Sequence, residues 1–322
     1  MGVSLAGRDL LTLADLAPHE VTAVLELARA QKAAWAAGDR SAPLAGRAAA
    51  VIFMKPSMRT RVSFELACTR LGMHPVILGG NDTVFSRGET LYDTTSVLER
   101  YVDVIIIRTF EQSMVEQIAQ VASVPVVNAL TDDHHPCQGL ADLLTIHERF
   151  GQLAGLDFAY IGDGNNMAHT YLLGGALTGM NVTVATPPGF EPHQAVVDRA
   201  VEIATTTGAR VRVVTDAREA VAGAHVVATD TWASMGQEEE HARRVAAFRD
   251  YTVDAGLMTL ASSDAVFMHC LPAHRGEEVT DEVMDAPYSI VFDEAENRLR
   301  AQKALLSLVV DPRGAASSVE GK

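Results

Sequence analysis

The stretch Ala48-Ala49-Ala50-Val51-Ile52-Phe53-Met54-Lys55-Pro56-Ser57-Met58-Arg59-Thr60-Arg61 sets a continuous apolar run against a cluster of cations and hydroxyls. An apolar run without polar alternation is the pattern of a strand buried on both faces, as in parallel sheets covered by crossover helices. Residues 48–54 are therefore read as a strand, and a helix is expected from about Arg59 to Leu71. The rhythm continues outward. Strands are predicted over 76–78, 104–108 and 124–129, then over 158–162, 182–185, 211–214, 226–229, 266–269 and 289–292, with helical stretches between them. This predicts an α/β fold of two domains, each a parallel sheet flanked by helices.

Length agrees, since 322 residues at roughly 150 per domain give two. The boundary is placed in a helix over 140–150, with 1–147 as the first domain, 148–295 as the second and a connector over 151–155. A first helix is expected over 18–37, where Val21, Val24, Leu25 and Ala28 recur at helical spacing and Gly38 ends the run. A last helix is expected over about 296–310.

Asp and Glu number 41 against 26 Lys and Arg, a formal net charge of −15. That field disfavours nucleic acid and anionic membranes as partners, so an anionic substrate needs a dedicated cationic pocket. Three cysteines, Cys68, Cys137 and Cys270, are too few for a disulfide framework and suit a reducing compartment, so a cytoplasmic location is expected. No signal-peptide core or membrane-spanning apolar run is present in the sequence.

Six polar clusters fall just after predicted strands, where open α/β sheets bind ligands. They are Lys55 to Arg61, Arg108, His135-Pro136-Cys137-Gln138, Asp163-Gly164-Asn165-Asn166, Asp230 to Gly236, and His269-Cys270-Leu271-Pro272. The first concentrates Lys55, Arg59 and Arg61 at a helix start, where free N–H groups and the dipole favour a phosphate. Gly162 and Gly164 begin a dinucleotide-like pattern, but Met167 stands at its third glycine position. The histidines and cysteines lack zinc-site spacing, so no metal is expected. Cys270 by itself reads equally as a buried small hydrophobe or a functional thiol.

These residues suit transfer of an acyl group from a phosphorylated donor to an amine. Arg59, Arg108 and the helix start are placed to clamp a phosphate, while Thr60, His135 and Gln138 offer hydrogen bonds to a carbonyl and an amide. Cys270 and Asp230 are candidates for orienting the amine and assisting its deprotonation.

The clusters in their order resemble the aspartate/ornithine transcarbamoylase family. Its motifs S-x-R-T-R, H-P-C-Q, S-M-G and H-C-L-P are matched by Ser57 to Arg61, His135 to Gln138, Ser234-Met235-Gly236 and His269 to Pro272. Cys137, Ser234-Met235-Gly236 and Cys270 look like the ornithine branch. The resemblance implies a carbamoyl-phosphate domain, an ornithine domain, and a C-terminal helix over 296–312 packing back on the first domain. It implies transfer of the carbamoyl group of carbamoyl phosphate to L-ornithine, giving L-citrulline for arginine biosynthesis, with no cofactor. Ser57, Met58, Arg59, Thr60, Arg108, His135, Gln138, Cys270, Leu271 and Arg298 are expected at carbamoyl phosphate, and Asn166, Asp230, Ser234 and Met235 at ornithine. Cys270, Arg59, Arg108 and His135 are expected to be catalytic. Family members form homotrimers, or multiples of them, with active sites at subunit interfaces. Met58 and Val84 replace the usual Thr and a frequent Gln, with Arg87 as a substitute charge, so a specialised relative using ornithine or another amine is the alternative.

Overall fold

The apolar run quoted above is a strand, β1 (Ala48–Phe53), buried along all but its first residue. The computed structural model describes residues 3–79, 89–233 and 241–310. Val84, Arg87, Ser234, Met235 and Gly236 lie outside these. The chain forms two compact units, one running to Leu144 and resuming at Arg298, the other Thr145–Asn297.

In the first unit β1 pairs with β2 (His74–Gly79) and β3 (Val104–Arg108), and β3 with β4 (Val126–Leu130). All pairings are parallel, in the order β2-β1-β3-β4. The helices are α1 (Pro18–Ala36), α2 (Met58–Leu71), α3 (Leu91–Leu98), α4 (Gln112–Val121) and α5 (Pro136–Phe150). Gly72 ends α2 with φ 82°, and a Cβ there would meet Ala42 Cβ at 2.8 Å. Only glycine suits both demands.

The second unit holds β5 (Asp157–Ile161), β6 (Asn181–Ala185), β7 (Val211–Val214), β8 (Val226–Thr229) and β9 (Val266–His269), also parallel, in the order β7-β6-β5-β8-β9. Its helices are α6 (Asn166–Thr178), α7 (Gln194–Thr207), α8 (Ala217–Val221), α9 (His241–Phe248), α10 (Ala255–Met258) and α11 (Asp281–Met284), followed by α12 (Val291–Val309). The chain passes between the units within α5 and α12. Asn297 Nδ2 donates to Thr145 Oγ1 at 3.0 Å and Glu148 Oε2 at 2.9 Å, joining those helices inside the second unit. From Arg298 on, α12 packs on the first unit, where Gln31 Nε2 donates to Ser307 Oγ at 3.0 Å.

The structure departs from the sequence reading at two ends. Residues 289–292 make no strand; Ser289 forms an isolated bridge to Phe267, and α12 already begins at Val291. Asp293 and Glu294 in its first turn favour a helix start over strand continuation. The helix expected from 140 starts at Pro136, because proline is tolerated in a first helical turn.

Candidate active site

In each sheet the strand order reverses beside the first strand, between β1 and β3 and between β5 and β8. Crevices at the carboxyl ends of such strands are the usual ligand sites of α/β sheets. The described residues of the sequence clusters lie at or just after the carboxyl ends of the strands.

In the first unit, Phe53 pairs with Arg108, and the Met54 N–H donates to the Arg108 carbonyl at 2.9 Å. Arg108, at the end of a buried strand, is thus brought beside the turn leading into α2. Ser57 caps that helix, its Oγ accepting from the Thr60 N–H at 3.2 Å and donating to Thr60 Oγ1 at 3.0 Å. Arg298 donates from one Nη to Gln138 Oε1 and from the other to Thr60 Oγ1 at 3.2 Å. Gln138 Nε2 in turn donates to Asp142 Oδ1 at 2.7 Å, which fixes the amide orientation. Ser57, Thr60, Gln138, Asp142 and Arg298 form one connected polar chain.

His135 is buried next to this chain. Burial, then the charges of Arg298, Arg108 and Arg59, hold its pKa well below the usual histidine value. It is therefore a neutral imidazole at physiological pH, able to hydrogen-bond a substrate without adding charge. Cys137 beside it is a buried thiol pushed up to about 12, chiefly by burial.

The structure narrows the cationic cluster. Lys55 is buried against Asp132, Nζ to Oδ1 at 2.8 Å, and Arg61 is exposed with Glu65 at 4.0 Å. Of the three cations at the head of α2, Arg59 is the one that bears on His135. Met58, the first helical residue, is 73% exposed.

In the second unit, Asn165 caps α6, with Oδ1 accepting from the Met167 and Ala168 N–H groups. Its Nδ2 donates to Asp230 Oδ2 at 2.9 Å, and Tyr160 Oη donates to Asn165 Oδ1 at 3.2 Å. Burial first, then Asp230 and Asp163, push the Tyr160 phenol well above its ordinary range, so it stays protonated. Cys270 Sγ donates to the other Asp230 oxygen at 3.2 Å. Asn166 is buried at the first position of α6.

Beneath Cys270 lies a layer with no local sequence signal. The Leu271 N–H donates to His269 Nδ1 at 2.9 Å, which leaves the imidazole proton on Nε2, 3.1 Å from Glu278 Oε1. Glu294 Oε2 accepts from the His269 N–H at 2.9 Å. His269, Glu278 and Glu294 are fully buried. Leu271 itself has φ 61°, a conformation costing about 1–3 kcal/mol for a non-glycine residue. The fully buried His269–Glu278 pair is part of what holds it there. The sequence reading placed His269 and Asn165 in strand-end clusters without giving them a role, and missed Glu278 and Tyr160. A buried acid nine residues after His269 is recognisable only once the chain turns back.

Asp230, His269 and Cys270 present ligand-type atoms within 4.8 Å of one another. The imidazole lone pair is taken by the Leu271 N–H, and Nε2 faces Glu278. These residues fit a hydrogen-bonded relay better than a metal centre.

Two parallel α/β units, one with an arginine cluster around a neutral imidazole and the other with a thiol–carboxylate pair, define a two-domain group-transfer enzyme. The family model "Aspartate/ornithine carbamoyltransferase, carbamoyl-P binding domain" matches residues 8–148, and the "Asp/Orn binding domain" of the same family matches 154–309. The chain belongs to the aspartate/ornithine carbamoyltransferase family. The ornithine carbamoyltransferase of Anoxybacillus flavithermus is 53% identical over 304 residues, 94% of this chain and 97% of that protein. The ornithine carbamoyltransferase structure from Pyrococcus furiosus matches with TM-score 0.93 and 49% identity, covering 96% and 98% of the two chains. The anabolic enzyme of Campylobacter jejuni matches with TM-score 0.87 and 36% identity, over 93% and 97%. Among the described residues no helix is long and apolar enough to cross a membrane.

Proposed function

We propose that this chain transfers the carbamoyl group of carbamoyl phosphate to the side-chain amine of L-ornithine, giving L-citrulline and phosphate in arginine biosynthesis. The observation that carries the reading is the Cys270–Asp230 pair at the β5/β8 crevice, in a chain whose other unit gathers Arg59, Arg108 and Arg298 around neutral His135. An amine acceptor and a phosphorylated donor are the two chemistries these groups suit.

In this reading a carbamoyl-phosphate domain comprises residues 1–147 with 296–312, and an ornithine domain comprises residues 148–295. The α2 start, with Ser57, Met58, Arg59 and Thr60, and Arg108 hold the phosphate, adding helix-dipole and bidentate guanidinium contacts. His135, Gln138 and Arg298 serve the carbamoyl oxygen and amide. Each donor aimed at the oxygen as negative charge builds there lowers the barrier by about 3 kcal/mol.

The acceptor amine resembles that of lysine, with a reference pKa of about 10.4, so on the order of one molecule in a thousand is deprotonated near neutral pH. Asp230, Asn166, Ser234 and Met235 bind ornithine, and Cys270 with Leu271 orients the attacking nitrogen. The nitrogen lone pair forms the C–N bond, the C–O bond to phosphate breaks, and the departing phosphate carries the electron pair and accepts the amine proton. No covalent enzyme intermediate is needed.

We further propose a homotrimer, or a multiple of it, in the cytoplasm. Met58, Val62 and Leu66 repeat every fourth residue along α2 and are 73%, 49% and 39% exposed, a stripe suited to burial against another copy. Cys68, Cys137 and Cys270 are thiols that form no disulfide with one another, which suits a reducing compartment.

The test offers carbamoyl phosphate with ornithine, N-acetylornithine, putrescine, lysine or aspartate to purified protein and measures ureido product. Citrulline from ornithine alone supports the proposal. Preference for another amine overturns it.

A further inference from the structure

Glu278 is fully buried, yet among the described residues its carboxylate meets no lysine or arginine. Oε1 faces His269 Nε2 and accepts from the His274 N–H. Oε2 accepts no hydrogen bond among the described residues and lies 3.8 Å from His274 Nδ1. A carboxylate stripped of water is costly unless positive charge compensates it.

A second carboxylate stands beside it. Glu277 Oε2 lies 3.1 Å from Nε2 of His241, the first residue of α9, 36 positions earlier. The neighbouring cation Arg275 is directed away, donating to Asp281 and Asp285. Two adjacent carboxylates therefore face imidazoles alone among the described side chains.

Backbone contacts fix the turn that carries them. Gly276 adopts φ 92°, a region that favours glycine, and the Glu277 N–H donates to the His274 carbonyl at 2.9 Å. The Glu277 and Glu278 carbonyls accept from Thr252 Oγ1 at 2.8 Å and from the Val253 N–H at 2.9 Å. His274, Glu277 and Glu278 thereby present ligand-type atoms within 4.8 Å of one another. Ligands at 2.0–2.2 Å around a tetrahedral zinc ion are about 3.3–3.5 Å apart, and the observed 3.1 and 3.8 Å bracket that spacing. The side chains of His241, His274 and Glu277 are partly exposed, so they can rotate to close the set. Imidazoles mixed with carboxylates suit zinc, whereas magnesium and calcium prefer oxygen ligands.

We propose that His241, His274, Glu277 and Glu278 bind one zinc-class divalent cation, a structural site that ties the head of α9 to the 274–278 turn. Because the other Glu278 oxygen faces His269, the ion also braces the layer beneath Cys270. It supplies nothing to the reacting atoms, so the site holds whichever amine the enzyme accepts. The sequence reading expected no metal from the spacing of histidines and cysteines. Here two ligands are glutamates and the histidines come from separate segments, so no local motif marks the set.

The test strips full-length protein with a chelator, equilibrates it with zinc chloride and measures bound metal by equilibrium dialysis, with thermal melts alongside. Wild type is expected to hold about one tight zinc per chain and to melt at a higher temperature with it, as preferential binding to the native state requires. C270S removes the thiol from the neighbouring Asp230, His269 and Cys270 group and should keep that zinc. H241A/H274A and E277Q should each weaken it by at least the roughly tenfold that loss of even an outer-sphere partner costs. E277Q preserves the side chain's shape and carries the comparison if the double variant does not fold. Magnesium chloride in large excess should not displace the zinc. Wild type without stoichiometric zinc, zinc lost in C270S but kept in H241A/H274A or E277Q, or displacement by magnesium overturns the proposal.

Discussion

Arg298 donates to Oε1 of Gln138 across 160 positions of sequence, and the same guanidinium reaches Thr60 Oγ1, 238 positions away. Both contacts lie inside the first unit, since the chain returns to it at Arg298. The C-terminal helix therefore completes a polar chain begun at the head of α2.

Arg298→Met is expected to raise KM for carbamoyl phosphate by roughly tenfold to a hundredfold, as one charge-assisted hydrogen bond of about 1.5–3 kcal/mol disappears. The ornithine KM should change little. Initial rates at several carbamoyl phosphate concentrations give the answer; an unchanged donor KM removes Arg298 from the donor site.

Cys270 Sγ sits 3.2 Å from Asp230 Oδ1. Cys270→Ser is expected to lower kcat on the order of a hundredfold, the lower end of general acid–base effects, with little change in carbamoyl phosphate KM. Mass spectrometry of the wild-type protein during turnover should find no carbamoylated cysteine. A trapped adduct on Cys270 would establish a covalent route instead.

Glu278 faces the His269 imidazole at 3.1 Å, and both are fully buried. Glu278→Gln retains an acceptor for the Nε2 proton and should lower kcat about tenfold with both KM values preserved. Glu278→Ala leaves that proton and the His274 N–H without their acceptor. Each buried group so stranded costs about 1–3 kcal/mol, so the melting temperature should fall for Ala far more than for Gln.

His135 supplies a pH prediction. Its folded pKa is depressed, by burial first and by three arginines next, whereas in the unfolded chain it titrates near 6.5. Below about 6.5 the unfolded state gains a proton that the native state refuses, so stability is complete above that pH and falls as pH drops toward the folded pKa, by at most about 1.4 kcal/mol per pH unit. Urea melts from pH 7 to 5 should show this slope, and His135→Asn should flatten it. An identical slope in the variant would assign the acid sensitivity to other groups.

The stripe on α2 predicts an assembly. Sedimentation of wild-type protein should give a trimer or a multiple of three, and Val62→Glu with Leu66→Glu should shift it toward monomer. Wild-type protein that sediments as a monomer at micromolar concentration would refute the proposed assembly.

Much of the fold was readable along the chain. Strands buried on both faces must be written as apolar runs, and helices over them at 3.6-residue spacing, so β1, β3 and β7 to β9 could be located from local pattern alone. The polar clusters at the strand ends were visible too, because a chain leaving a buried strand has to expose polar residues at its end. The run at 289–292 misled because apolar character does not separate a short strand from a helix start beside acidic residues. Partnership was not readable. Lys55 looked like part of a phosphate cluster until Asp132, 77 positions later, was found holding it. His135 is neutral chiefly because packing buries it, with Arg298 arriving from the far end of the chain to add to the shift, and the layer beneath Cys270 exists because Glu278 and Glu294 fold back under His269. Strand and helix periodicity is a property of neighbouring residues, whereas burial and charge pairing depend on which distant segments the packed chain brings within a few ångströms.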